Sequence, residues 1–242
     1  MKKITKTYIF IHGAWHGSWC FNKYVTPMMN LNYKTYSIDL PGHFHNSNYN
    51  FKNVTLDSYI KYVSNFINNN IEGKVILVGH SMGGVVISQV AENLPSKISH
   101  LAYISAFIPT KNGSLMEEEK KYNHPTVALK VKVDENICSI SLDQDVLKDL
   151  FYKNCIEEDI IYAKKFIQDQ PLLPFISKVS LGNNFDSIPK TYIECLKDNA
   201  IHIEDQRRMN KICDKIISID TDHSPFFSAP LELVKILEDI EL

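Results

Sequence analysis

Short apolar runs alternate along this chain with longer amphipathic stretches. Continuous, β-branched runs near 7–11 and 74–79 predict strands buried on both faces, and further runs near 34–38, 100–105, 190–196 and 215–220 extend the set. Between them, apolar residues recur at helical spacing near 20–30, 55–69, 82–93, 203–212 and 230–241. Strands and helices of these lengths taking turns predict an α/β fold, a mostly parallel sheet with helices on both faces. One stretch breaks the alternation. From about 110 to 188 the chain offers the charged Glu117 to Lys121, short amphipathic pieces at 145–154 and 157–167, and then Pro171, Pro174 and Gly182-Asn183-Asn184. We therefore expect one domain, 1–242, with a mostly helical cap inserted at about 110–188. Within the cap, Phe151, Tyr152, Tyr162, Phe166, Leu172, Leu173 and Phe175 are the candidates to face a pocket, most of them expected only to pack the cap onto the body.

The strand-like Val75-Ile76-Leu77-Val78 runs directly into Gly79-His80-Ser81-Met82-Gly83-Gly84, and a helical stretch follows at once. This is the strand, sharp turn and helix that a GxSxG nucleophile elbow requires. The turn pushes Ser81 out of the sheet, at a helix start where unpartnered backbone N–H groups favour negative charge. A bare glycine-rich turn would give the same pattern without chemistry; its setting between such a strand and such a helix favours the nucleophile.

A serine hydroxyl is a weak nucleophile near neutral pH, so a base and a group orienting that base are implied. In this architecture they follow the serine in the order acid, then histidine. His223 lies directly after the strand-like 215–220 and before the last helix, whereas His100 precedes its strand, His124 falls in a charged irregular segment and His202 begins a helix. For the acid, Asp198 follows the strand at 190–196 by two residues, and Asp220 is its main rival. Glu194 lies inside a strand, Asp205 a turn into a helix, and Asp222 beside the histidine, where its carboxylate cannot readily face the far ring nitrogen.

After the first strand comes His12-Gly13-Ala14-Trp15-His16-Gly17-Ser18-Trp19, a loop able to bring backbone close to a ligand. The amides of Ala14 and Met82 are expected to form an oxyanion hole, each donor worth ~3 kcal/mol of barrier. His12, His16, His43 and His45 lack accompanying carboxylate or cysteine at ligand spacing, so no metal is expected, nor any cofactor.

Together with Asp39-Leu40-Pro41-Gly42-His43, Tyr192-Ile193, Gln206 and Asp222-His223, these motifs resemble the α/β-hydrolase superfamily, and within it the branch of plant methylesterases, hydroxynitrile lyases and related bacterial esterases. The resemblance covers about 5–110 and 188–240 and implies an α/β-hydrolase fold. It implies Ser81, Asp198 and His223 as the triad and the amides of Ala14 and Met82 as the anion hole. The lyases carry a lysine after the triad histidine and a threonine in the loop after the first strand, where this chain has Ser224 and Gly13. Cyanide departure uses a positive charge, so cyanohydrin cleavage is not expected, and Ser224→Lys with Gly13→Thr is expected to move the chamber toward it. Plant methylesterases usually have methionine after the histidine; Ser224-Pro225-Phe226-Phe227-Ser228 looks more like the bacterial esterases. The implied function is a serine esterase acting on small to medium carboxylic esters through an acyl-enzyme. A hydroxynitrile lyase-like enzyme, or a ligand receptor on the same fold, is the alternative.

Composition narrows partners more than chemistry. The chain has 242 residues, enough for one α/β domain, and 44% hydrophobic residues supply its core. A net charge of −2 gives no electrostatic reason to bind nucleic acid or an anionic membrane, so a small-molecule ester is the expected partner, with a homodimer left open. Without an apolar run long enough for a membrane span or signal core, the chain is expected to be cytoplasmic. The five cysteines, odd in number and without CxxC spacing, are expected to be free.

Overall fold

The computed structural model describes residues 6–121 and 130–240, so His124 and the last residue of the expected final helix lie outside the described residues. Its first half runs β1 (Thr7–Ile11), α1 (Asn22–Asn30), β2 (Lys34–Ile38), α2 (Leu56–Asn70), β3 (Val75–His80), α3 (Gly83–Asn93) and β4 (Ile98–Ile104). The cap follows as α4 (Leu115–Glu119), β5 (Val131–Asp134), β6 (Ser139–Leu142), α5 (Leu147–Phe151), α6 (Glu157–Phe166), β7 (Gln170–Pro171), α7 (Leu173–Ile176) and α8 (Asn183–Ser187). The chain then returns to the body as β8 (Lys190–Cys195), α9 (Ile203–Met209), β9 (Lys215–Ile219), α10 (Pro225–Ser228) and α11 (Pro230–Glu238).

Six strands form one sheet in the order β2-β1-β3-β4-β8-β9, and every neighbouring pair is parallel. Burial explains the apolar runs: Tyr8 to Ile11 and Val75 to Val78 have no exposed surface, as strands covered on both faces require. The chain moves one way from β1 to β2 and the other way from β2 to β3, so right-handed crossovers put α1 and α2 on opposite faces. α1 packs with α11 in one layer, and α3 packs with both α2 and α8 in the other. Where the strand order reverses, the carboxyl ends of β1 and β3 open a crevice, the usual ligand position in such sheets. The loop after β1 and the turn at Ser81 both emerge there.

Local chemistry sets the ends of these elements. α2 starts at a reciprocal capping box in which Thr55 and Ser58 satisfy each other's backbone N–H groups. α9 ends sooner than its apolar spacing predicts, because Asn210–Ile212 tighten into a 3-10 turn. His100, expected ahead of a strand, lies inside β4 and hydrogen-bonds Thr191 Oγ1 at 2.9 Å.

The cap differs from its expectation in one respect. Beside its short helices it holds a three-stranded antiparallel sheet, β5-β6-β7. Val-Lys-Val-Asp and Ser-Ile-Ser-Leu alternate with period two, but over four residues each such alternation is too short to stand out. Most cap aromatics do pack it onto the body: Tyr162 and Phe166 contact the Trp19 ring. All five cysteines are free, and among the described residues no helix is long and apolar enough to cross a membrane.

Candidate active site

Ser81 occupies the turn between β3 and α3 with φ of 51°, a left-handed backbone that costs a non-glycine residue free energy and is held here by its surroundings. Its carbonyl accepts from Gly84 N at 3.1 Å and Phe107 N at 3.0 Å, and its N–H donates to Ile104 O at 3.3 Å. α3 crosses so close to β1 that a Cβ on Gly83 would stand 2.4 Å from the Ile11 carbonyl oxygen. Only glycine lets the helix start there, which is the physical content of the motif's second glycine.

Asp198 and His223, on the loops after β8 and β9, meet through a 2.7 Å hydrogen bond from His223 Nδ1 to Asp198 Oδ2. The carboxylate is buried and has four donors. Its Oδ1 accepts from Ala200 N at 2.6 Å and Ile201 N at 2.8 Å, and its Oδ2 also accepts from the Ser105 hydroxyl. Those donors compensate for removing the charge from water. The His223 ring lies between Phe151, 5.3 Å away by centroids, and His80, 4.6 Å away.

The other acids turn elsewhere. Asp220 pairs with Lys197 at 2.6 Å on the surface. Asp222 accepts from Asn154 N at 2.6 Å, Ser224 N at 3.1 Å and Ser228 Oγ at 2.9 Å, tying the His223 loop to the cap. Glu194 is held by Asn210 and Ser218 within and beside the sheet.

Ser81 and His223 line one cleft together with Ala14, Met82, Trp15, Phe107, Leu115, Phe151, Phe175 and Glu119. It encloses about 330 Å³ counting its mouth, and apart from Ser81, His223 and Glu119 its named walls are apolar. Phe151 and Phe175 are the cap aromatics that reach it. Neither the Ala14 N–H nor the Met82 N–H donates to a partner among the described hydrogen bonds. Gly13 passes so near the elbow that a Cβ there would lie 2.8 Å from Ser81 Cβ and 2.9 Å from His80 Nδ1.

His12, His16 and His43 are buried and held by backbone carbonyls. His12 Nδ1 donates to Gly13 O at 2.8 Å, His16 Nδ1 to Ala14 O at 2.7 Å, and His43 Nδ1 to the His16 carbonyl at 2.9 Å. Burial pushes their pKa values down, to about 4 for His12 and about 3 for His16, so both are neutral near pH 7. Among the described residues no cluster of three or more His, Cys, Asp or Glu could hold a metal ion.

Ser224 departs from expectation. It is fully buried and does not line the cleft, so the chamber's charge is not set by its side chain.

The profile of the alpha/beta hydrolase family matches residues 8–236. The chain belongs to that family. An Arabidopsis thaliana protein provisionally named chloroplastic methylesterase 11 is 32% identical to this alpha/beta hydrolase over 98% of the chain, which spans 64% of that protein. The chain spans 56% of each of two further chloroplastic relatives. Methyl jasmonate esterase 1 of Vitis vinifera is 27% identical over 99% of the chain and 98% of its own length. Among solved structures, a pyrethroid hydrolase from Sphingobium faniae superposes with a TM-score of 0.87 at 26% identity, covering 97% of this chain and 96% of that one.

Sequence reasoning missed Ser105, whose hydroxyl reaches Asp198 from the end of β4, because one serine in an apolar strand carries no pattern. It also missed Glu119, the cleft's carboxylate, which lay inside a run of five charged residues, Glu117 to Lys121.

Proposed function

We propose that this chain hydrolyses small carboxylic esters through an acyl-enzyme on Ser81. The observation that carries the reading is the 2.7 Å hydrogen bond between His223 and Asp198, beside a cleft that Ser81 and His223 both line. Asp198 fixes the ring with its proton on Nδ1, leaving Nε2 to take the Ser81 proton as the hydroxyl attacks the ester carbonyl. The amides of Ala14 and Met82 hold the oxyanion, and the alcohol departs with the proton from His223. Water then cleaves the acyl-enzyme by the same groups. All steps use protein side chains and amides, with neither metal nor cofactor.

Relatives named as esterases support the ester as substrate class, and the aromatic and aliphatic walls favour an apolar acyl group over a charged one. A panel of short alkyl and aryl esters, run with wild type and Ser81→Ala, tests the reading. Ser81→Ala should fold normally and lose roughly 10⁵ to 10⁶ in kcat. A serine-directed phosphonate should label wild type at Ser81 and leave the variant unlabelled. Substantial turnover by Ser81→Ala would overturn the assignment; tight ester binding with negligible wild-type turnover would favour a receptor.

A further inference from the structure

The loop that follows β1 has a feature the proposed mechanism does not use: its peptide groups are gripped one by one, and several of the grips come from the cap. The Gly13–Ala14 peptide is held from the body, its carbonyl accepting from His12 Nδ1 at 2.8 Å. In a trans peptide the carbonyl and the N–H point to opposite sides, so this bond turns the Ala14 N–H away from His12. The next peptide is held from the cap. Its carbonyl, on Ala14, accepts from His16 Nδ1 at 2.7 Å, and His16 Nε2 in turn accepts from the Tyr152 hydroxyl at 2.7 Å. Its N–H, on Trp15, donates to Gln170 Oε1 at 3.3 Å.

The Trp15 carbonyl accepts from Gln168 N at 3.2 Å, and the Trp15 indole donates to Ile140 O at 2.9 Å. Ile140 and Gln170 belong to β6 and β7, the cap sheet. Trp15 needs such restraint, because its φ of 62° is a left-handed backbone that a bulky residue adopts only under strain. Of the N–H groups of Ala14, Trp15 and His16, the last two donate within the protein, and that of Ala14 donates to no partner among the described hydrogen bonds.

We propose that Trp15 and His16 are positioning residues through which the cap aims the Ala14 amide, so that the anion hole is complete only while the cap sheet and Tyr152 hold this loop. Released from Gln170 and Tyr152, Trp15 relaxes toward negative φ, the Ala14–Trp15 peptide swings, and the amide loses its aim. The proposal rests on the esterase reading above.

Tyr152→Phe and Gln170→Met test it, since neither residue lines the cleft. Tyr152→Phe deletes one hydroxyl from a fully buried ring, and Gln170→Met keeps the side-chain length while removing the acceptor. Each variant is assayed on an activated ester at a temperature where circular dichroism shows it fully folded. Two inhibitors are compared: a trifluoromethyl ketone, whose adduct with Ser81 carries an oxyanion, and the matching methyl ketone, which binds without one. The expected result is a fall of about tenfold in kcat with KM within about twofold, and a rise in the trifluoromethyl ketone Ki by the same factor as kcat falls. The methyl ketone Ki should not move. If both variants keep wild-type kcat and wild-type inhibitor ratio, whatever their melting temperature, the cap does not aim the amide and the proposal is overturned. Retained turnover by Ser81→Ala would instead show that the esterase reading itself had failed, and the positioning role would fall with it.

Discussion

Ser105 donates its hydroxyl to Asp198 Oδ2, the same oxygen that meets His223 Nδ1. One carboxylate oxygen thus joins the ends of β4, β8 and β9 across the top of the sheet. Ser105 reaches it from a left-handed backbone, φ 36°, with no exposed surface. The bond restrains the carboxylate beside the imidazole and supplies one of the four donors that offset burial of its charge.

Asp198→Asn should therefore fold and lose on the order of 10⁴ in kcat, because an amide can stabilise the wrong imidazole tautomer. Ser105→Ala leaves three donors and the acid itself in place, so about a two- to tenfold loss is expected. Steady-state kcat on one activated ester decides it: a Ser105→Ala effect as large as that of Asp198→Asn would mean that the serine, not the acid, governs the histidine.

The two neighbouring acids should separate cleanly. Asp220→Asn breaks only an exposed pair with Lys197, so stability should change by less than about 1 kcal/mol and activity hardly at all. Asp222→Ala strips buried partners from Asn154, Ser224 and Ser228 and should cost roughly 2–4 kcal/mol by urea denaturation, with kcat falling as the His223 loop loosens from the cap. A harmful Asp220→Asn beside a silent Asp222→Ala would reverse these roles.

The difference in legibility between body and cap has a physical cause. Strands β1 and β3 and the turn at Ser81 are written in continuous apolar runs and in glycines that close approach demands, local signals that survive without the tertiary structure. Asp198 and His223 could be put forward because each follows a strand in fixed chain order. The cap sheet was not. Its strands are two to four residues long and are stabilised by pairing with one another and with Trp15, contacts that sequence spacing does not encode. Ser105, Asp222 and Gln170 act through partners 93, 68 and 155 residues away, which no window along the chain can join.

The elbow leaves no room for a side chain at position 13. A threonine at 13 would drive its Cβ into Ser81 Cβ and His80 Nδ1, both buried and hemmed in, so Gly13→Thr should depress ester hydrolysis by pushing the loop off the elbow. Ser224→Lys would force a long ammonium side chain into a fully buried position that the cleft does not reach, destabilising the fold without charging the chamber. Cyanide release and ester hydrolysis measured side by side should show wild type hydrolysing esters with no detectable cyanide, and the double variant gaining none. Efficient cyanide release by either protein would contradict this account.

Acid should weaken the fold before it reaches the carboxylates. Burial lowers the pKa of His12 to about 4, His16 to about 3 and His100 to about 4, and sends His43 and His80 well below their ordinary 6.5. Above pH 6.5 these imidazoles are neutral in both folded and unfolded chains and contribute no pH dependence. As pH falls below 6.5 the unfolded chain takes up protons that the folded one refuses, so stability drops, by about 1.4 kcal/mol per pH unit for each such histidine, until the folded values are reached. Urea midpoints should thus be flat from about pH 7 to 8 and fall steeply between 6.5 and 4. His100 lies away from the cleft, so His100→Gln should fold, keep its esterase activity and lose about one proton's worth of that slope. Equal midpoints at pH 5 and pH 7, or an unchanged slope in His100→Gln, would show that the buried imidazoles accept protons without unfolding the protein.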